Sequence, residues 1–93
     1  MDIKHIHEAN KGVFSVEENN EVLAKLEYSM AGADKMIISH TEVNPVLSGK
    51  GVGKQLVAKA VNFARENKIK ILPLCPFAKA IFDKVPEYND VLF

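Results

Sequence analysis

The sequence lacks most of the features that would give a small protein an easy label. It has one cysteine, Cys75, in 93 residues. No disulfide can therefore form within it, and the reading that follows is a reducing, cytoplasmic setting. It has no apolar run near the ~18 residues a membrane span needs. It has no basic-then-apolar start, because Asp2, Lys4, Glu8 and Lys11 interrupt the N-terminal stretch. It also has no net charge, with 12 Lys plus Arg against 12 Asp plus Glu. No overall field draws it toward nucleic acid or a membrane surface, so any anion must be held by local arrangement. At this length the chain is expected to form one domain over residues 1–93, with one modest core.

What the chain does have is a change of period. Phe14 and Val16 alternate, polar residues follow at Glu17 to Asn20, and Val22, Ala24, Leu26, Tyr28 and Met30 alternate again. This predicts an antiparallel hairpin, imperfect only where Leu23 puts an apolar side chain among Lys25, Glu27 and Ser29. A turn at Ala31 to Asp34 leads to a strand from Met36 to Val43 that must change course at Pro45. From Gly53 the spacing becomes helical, with Leu56, Val57, Ala60, Val61, Phe63 and Ala64 on one face as far as Asn67–Lys68. A short strand, Ile69 to Leu74, and a second helix, Phe77 to Lys84, follow. The fold class predicted is α/β (α+β): a mixed, mostly antiparallel sheet with one βαβ unit.

Between the strand and the long helix lies Ser48-Gly49-Lys50-Gly51-Val52-Gly53-Lys54. The first N–H groups of a helix have no intrahelical partners and carry part of a positive charge, so a phosphate docks there when no Cβ obstructs it. The three glycines clear that approach, and Lys50 and Lys54 add charge. A Walker A loop would need a glycine where Ser48 stands and a hydroxyl where Gln55 stands. A dinucleotide fingerprint would need a different last glycine spacing and a larger sheet.

The run VNPVLSGKGVGKQLVAKAVNFARE resembles motif A of the GNAT N-acetyltransferase superfamily. Gly51 and Gly53 fall on its two glycine positions, Pro45 on its turn, and Ser48 where the family has Arg or Gln. The resemblance, from Met36 to about Tyr88, implies acetyl-CoA as cofactor. It places the pyrophosphate on Ser48, Gly49, Lys50, Gly51, Val52, Gly53 and Lys54. Backbone at Glu42 and Val43 would face the pantetheine and thioester, and Phe77 and Lys79 would stand near the cofactor mouth. The partner besides acetyl-CoA would be an amine or protein acceptor, on a chain that is a monomer or weak homodimer. The family's front end, which shapes the acceptor site, is trimmed here to a hairpin.

Amine acetylation calls for a base, donors for the developing oxyanion and an acid for the leaving thiolate. His40 and Glu42 are candidate bases, two apart and so on one face of their strand. Phe82 stands where the family places a tyrosine acid. The candidate that remains is Cys75, in Leu74-Cys75-Pro76-Phe77, where Pro73 and Pro76 should splay the strand and open a slot. A thiol there could act as acid or, with a lowered pKa, as nucleophile. A non-catalytic acetyl-CoA-binding module or sensor is the alternative reading. His5 and His7, with no Cys or acid at ligand spacing, read as surface histidines, and no metal site is expected.

Overall fold

The structure, a computed structural model, describes residues 2–93. Five strands lie in one sheet in chain order: β1 (Lys4–Glu8), β2 (Lys11–Glu18), β3 (Glu21–Met30), β4 (Lys35–Val43) and β5 (Lys70–Pro73). The first four are antiparallel neighbours. β5 joins β4 in parallel after a crossover through α1 (Val52–Asn67). α2 (Pro76–Lys84) and a 3-10 turn at Pro86–Val91 follow. The mixed, mostly antiparallel sheet expected from the change of period is what forms.

Short turns join the antiparallel strands. Asn19 and Asn20 both take positive φ, 52° and 65°, the geometry that a two-residue hairpin requires and asparagine tolerates. β1 and β2 are joined by Ala9 and Asn10 alone. Leu23, the residue that spoils the alternation, sits at a bulge: Val16 pairs with Ala24 and Glu17 with Val22.

α1 covers one face of the sheet. Its stripe of Val52, Leu56, Val57, Ala60, Val61 and Ala64 is buried against Phe14, Leu26, Met36, Ile38 and Ile71. Each Leu or Val so enclosed contributes about 1.5–3 kcal/mol. Lys68 closes the helix in the left-handed region, with its N–H on the Ala64 carbonyl. The opposite face carries Lys25, Glu27, His40 and Glu42, paired across β3 and β4.

One histidine of β1 departs from the surface reading: His7 is exposed, as expected, and His5 is not. His5 is half-buried and stacks on Phe14 with ring centroids 4.0 Å apart. Its Nε2 lies 2.6 Å from the Tyr28 hydroxyl, and His7 Nδ1 lies 2.9 Å from the same oxygen. Gly12, opposite Tyr28, leaves room for that phenol to cross β2 and reach β1. Alternation put His5 and His7 on one side; it could not show that a tyrosine two strands away ends between them.

Candidate active site

The site is built where β4 and β5 part. Their ladder runs from Lys35–Lys70 to Ile38–Pro73 and stops. Two local features stop it. β4 has a bulge, since Glu27 pairs with His40 but Tyr28 with Ile38, leaving Ser39 as the extra residue. Pro73 has no N–H with which to extend the rungs. The chain then turns, Leu74 and Cys75 both donating their N–H to the Ile38 carbonyl at 3.1 Å. β4 continues alone from Ser39 to Val43, paired only with β3.

The bulge decides which side chains reach this gap. Met36 and Ile38 point into the core. Strict alternation would send His40 and Glu42 after them, but the extra residue reverses the sense. Thr41 now lies opposite the fully buried Leu26, while His40 and Glu42 lie opposite Glu27 and Lys25 on the outer face. His40 Nε2 is 3.5 Å from Glu42 Oε2, and Lys25 Nζ is 4.0 Å from the same oxygen; all three are exposed to solvent. The structure therefore brings His40 and Glu42 together, as their spacing suggested, but not with Cys75.

Cys75 meets Thr41 instead. Its Sγ donates to Thr41 Oγ1 at 3.4 Å from the N-cap position of α2, and the side chain is only 6% exposed. Burial by itself would push the thiol pKa up. The Thr41 hydrogen bond and the backbone N–H groups of Ala78 and Phe77 outweigh it, holding the thiol below its ordinary value. No neighbouring histidine is involved. Thr41 could not be picked from the sequence, because only the bulge turns it inward.

The glycine loop adjoins the same end of β4. Asn44 caps a 3-10 turn at Pro45–Leu47, its side chain accepting from the Val46 N–H at 2.9 Å. The chain then reaches α1 through Gly49 and Gly51, at φ 81° and 69°. A Cβ at either would meet nothing within 4 Å, so the loop backbone stands open to a ligand. Gly53 differs: a Cβ there would come within 2.3 Å of the Phe77 ring. Phe77, 42% exposed, thus packs α2 against the first turn of α1.

Ser48, Lys50 and Lys54 are exposed around the loop, and Val52 is buried beneath it. Val43 is half-buried at the end of β4. A cleft of about 270 Å³ opens beside it, between Val22–Lys25 and Glu42–Pro45. Lys79 is engaged with Asp83 one helical turn on, at 3.3 Å. Phe82 is buried and packs on Tyr88, whose ring also lies beneath the Arg65 guanidinium.

The family model for GCN5-related N-acetyl-transferases matches residues 13–91, nearly the whole chain. The chain belongs to the GCN5-related N-acetyltransferase family. The solution structure of a GCN5-like protein from Staphylococcus aureus shares 38% identity, covering 97% of this chain and 87% of that one, with a TM-score of 0.72. A ribosomal-protein-alanine N-acetyltransferase from Brucella melitensis aligns over 84% of this chain and 62% of its own, at 12% identity and a TM-score of 0.68. A Clostridium acetobutylicum protein solved with acetyl-CoA aligns over 80% of this chain and 55% of its own, at 21% identity and a TM-score of 0.64. The last two bear on the fold alone, and this GNAT chain spans little more than half their length. A search of curated proteins gives no significant match.

Proposed function

We propose that this GNAT protein transfers an acetyl group from acetyl-CoA to an amine, with the acetyl end in the gap between β4 and β5. The observation that carries this is the parting of the two parallel strands at the same end as the open glycine loop. A cradle for a pyrophosphate and a slot for a thioester lie on adjoining segments of one chain.

Bound there, acetyl-CoA supplies an activated acyl group; everything else is the work of this chain's residues. The first amides of α1 and the bare backbone at Gly49 and Gly51 receive the pyrophosphate, with Lys50 and Lys54 adding charge at the surface. Beyond Ile38 β4 has no partner in β5, and since Asn44 and by alternation Glu42 turn their backbone to β3, the groups of Thr41 and Val43 face the gap and would hold the pantetheine arm. Cys75, with its pKa held low, keeps or gives up a proton at Sγ beside Thr41. His40 and Glu42, on the outer face, are placed to take a proton from an amine arriving through solvent. A free thiol in the site suits a reducing compartment, and we take the cytoplasm as the place of action.

Titration with acetyl-CoA followed by NMR should move the amides of Gly49 to Lys54 and of Thr41 to Val43. A panel of amines, with mass analysis of the protein itself, then reports turnover and any acetyl left on Cys75. Cys75→Ala should bind acetyl-CoA and fail to transfer. Unmoved loop amides would refute the binding mode, and undiminished turnover by Cys75→Ala would return the thiol to a packing role.

A further inference from the structure

The two edges of the sheet are finished differently. On the β5 side the chain covers its own edge: Leu92 bridges Ile71, and the Phe93 N–H bonds the Ile71 carbonyl at 2.8 Å. On the other side, among the described residues, β1 has β2 as its only neighbour in the sheet. The pair flanking a two-residue hairpin turn, here Glu8 and Lys11, is the hydrogen-bonded one, and bonded pairs alternate from there. Lys4, Ile6 and Glu8 therefore turn their backbone groups to β2, and His5 and His7 turn theirs outward. Such a row is a template for another strand.

Charge on an edge strand usually prevents that, because a run of one sign repels its own copy. The strand Lys4-His5-Ile6-His7-Glu8, exposed except at the half-buried His5, carries one of each sign, at opposite ends of a near-symmetric segment. We propose that β1 is a self-association edge, on which two copies pair antiparallel about Ile6 to form one sheet running through both.

In that register His5 and His7 of one copy exchange backbone hydrogen bonds with His7 and His5 of the other. Ile6, 50% exposed in the single chain, meets its own counterpart beside Val13. Lys4 stands opposite Glu8, twice. Other registers that pair the same outward groups lose this match. Moving the symmetry point to Lys4 sets lysine against lysine, moving it to Glu8 sets glutamate against glutamate, and moving it to His5 sets Asp2 against Glu8. Opposite charges in directly facing positions stabilise a strand pair, and like charges there destabilise it. Lys4 bonds Glu17 of its own chain at 3.4 Å, an exposed contact that exchanges readily for the new one. α1 packs on β2, β3, β4 and β5 and meets β1 through Phe63, whose ring centroid lies 4.7 Å from that of His5; this contact is on the face of the sheet and leaves the outer edge of β1 without a strand neighbour among the described residues.

The test is association of the full chain, followed by sedimentation equilibrium and by NMR spectra recorded on dilution. Dimer should grow with concentration, with shifts confined to β1 and with slowed exchange of the His5 and His7 amides. Lys4→Glu makes the edge wholly acidic and Glu8→Lys makes it wholly basic. Each should weaken self-association about tenfold, since two attractive pairs become two repulsive ones. Mixed one to one, the two variants should associate with each other at least as well as the original chain with itself. Native-like spectra of both variants check that each is folded; both substitutions are at exposed positions. A chain that stays monomeric at all concentrations, a dimer indifferent to either charge reversal, or a mixture no stronger than its parts would overturn the proposal.

Discussion

At Gly12 a Cβ would stand 2.2 Å from the Tyr28 ring, whereas at Gly51 it would meet nothing within 4 Å. The first position belongs to the β1–β3 meander, where the buried Tyr28 crosses Gly12 to bond two histidines. The second belongs to the β4–α1–β5 unit, where the strands part and the loop backbone stands bare. One glycine exists so that the protein can fill a space, the other so that it can leave one. Inside the meander the polar side chains of Tyr28, His5 and His7 satisfy one another; the crossover unit holds donors in reserve at the start of α1. The proposed ligand chemistry is assigned to the second region, where the loop backbone is bare.

Valine at the two positions gives the sharpest contrast. Gly12→Val drives a side chain into Tyr28, which is 2% exposed and fixed by both histidines, so it has nowhere to retreat. About 3 kcal/mol or more of stability should be lost, read from urea unfolding, with acetyl-CoA binding intact in whatever remains folded. Gly51→Val pays about 1–2 kcal/mol for a β-branched residue at positive φ. Its acetyl-CoA affinity should fall at least tenfold, about 1.4 kcal/mol. If Gly51→Val kept its affinity, or Gly12→Val kept its stability, the division of the molecule into filled and open glycines would be wrong.

The same division explains what could be read from the residues beforehand. The βαβ unit, the long helix and the glycine loop announce themselves, because helical spacing and proline and glycine positions act locally. Gly53 shows the limit of that reading. It counts toward the glycine motif, yet here it also makes room for Phe77 from another helix. The pairing of Cys75 with Thr41 was hidden for a related reason. A single extra residue, Ser39, reverses the sense of β4, so His40 and Glu42 leave the inner face and Thr41 enters it. Nothing in the alternation Met36, Ile38, His40 marks that bulge. His5 reads as a surface histidine in the sequence because its partner, Tyr28, lies more than twenty residues away.

Thr41→Val probes the open region with a smaller effect. The threonine hydroxyl can turn its own proton toward a thiolate, so its loss removes a stabiliser of the charged form. The Cys75 pKa should rise, and with it the pH midpoint of thiolate absorbance and of any step that uses the thiolate. Thr41→Ser should keep the original midpoint. Stability should change by no more than about 1 kcal/mol, the usual worth of one hydrogen bond. An unmoved midpoint in Thr41→Val would mean that the amides at the start of α2 set the thiol alone.

The smallest effect belongs to the filled region and appears on acidification. Burial against its aromatic neighbours, and then the charge of His7, hold His5 below the ordinary histidine value of 6.5. The folded chain therefore takes up this proton less readily than the unfolded one, and the associated stability is present above about pH 6.5 and lost as the pH falls through the folded value. Hydrogen-bond geometry points the same way. The Tyr28 hydroxyl can donate to one ring while accepting from the other, so the network tolerates one protonated histidine. With both protonated, both rings donate, and the phenol proton has no acceptor between them. Lys59 and Arg65, which line the same hollow as His5, add positive charge, while Glu66 opposes them. The stability read from urea unfolding should consequently drop between pH 7.5 and 5.5, by under about 1 kcal/mol because the half-buried ring is partly screened by solvent. His5→Phe keeps the stack on Phe14 and removes the proton site, and should flatten that dependence. Equal slopes in the two proteins would assign the acid sensitivity to groups other than His5. A flattened slope would show that the meander is sealed by a tyrosine that needs one of its histidines neutral.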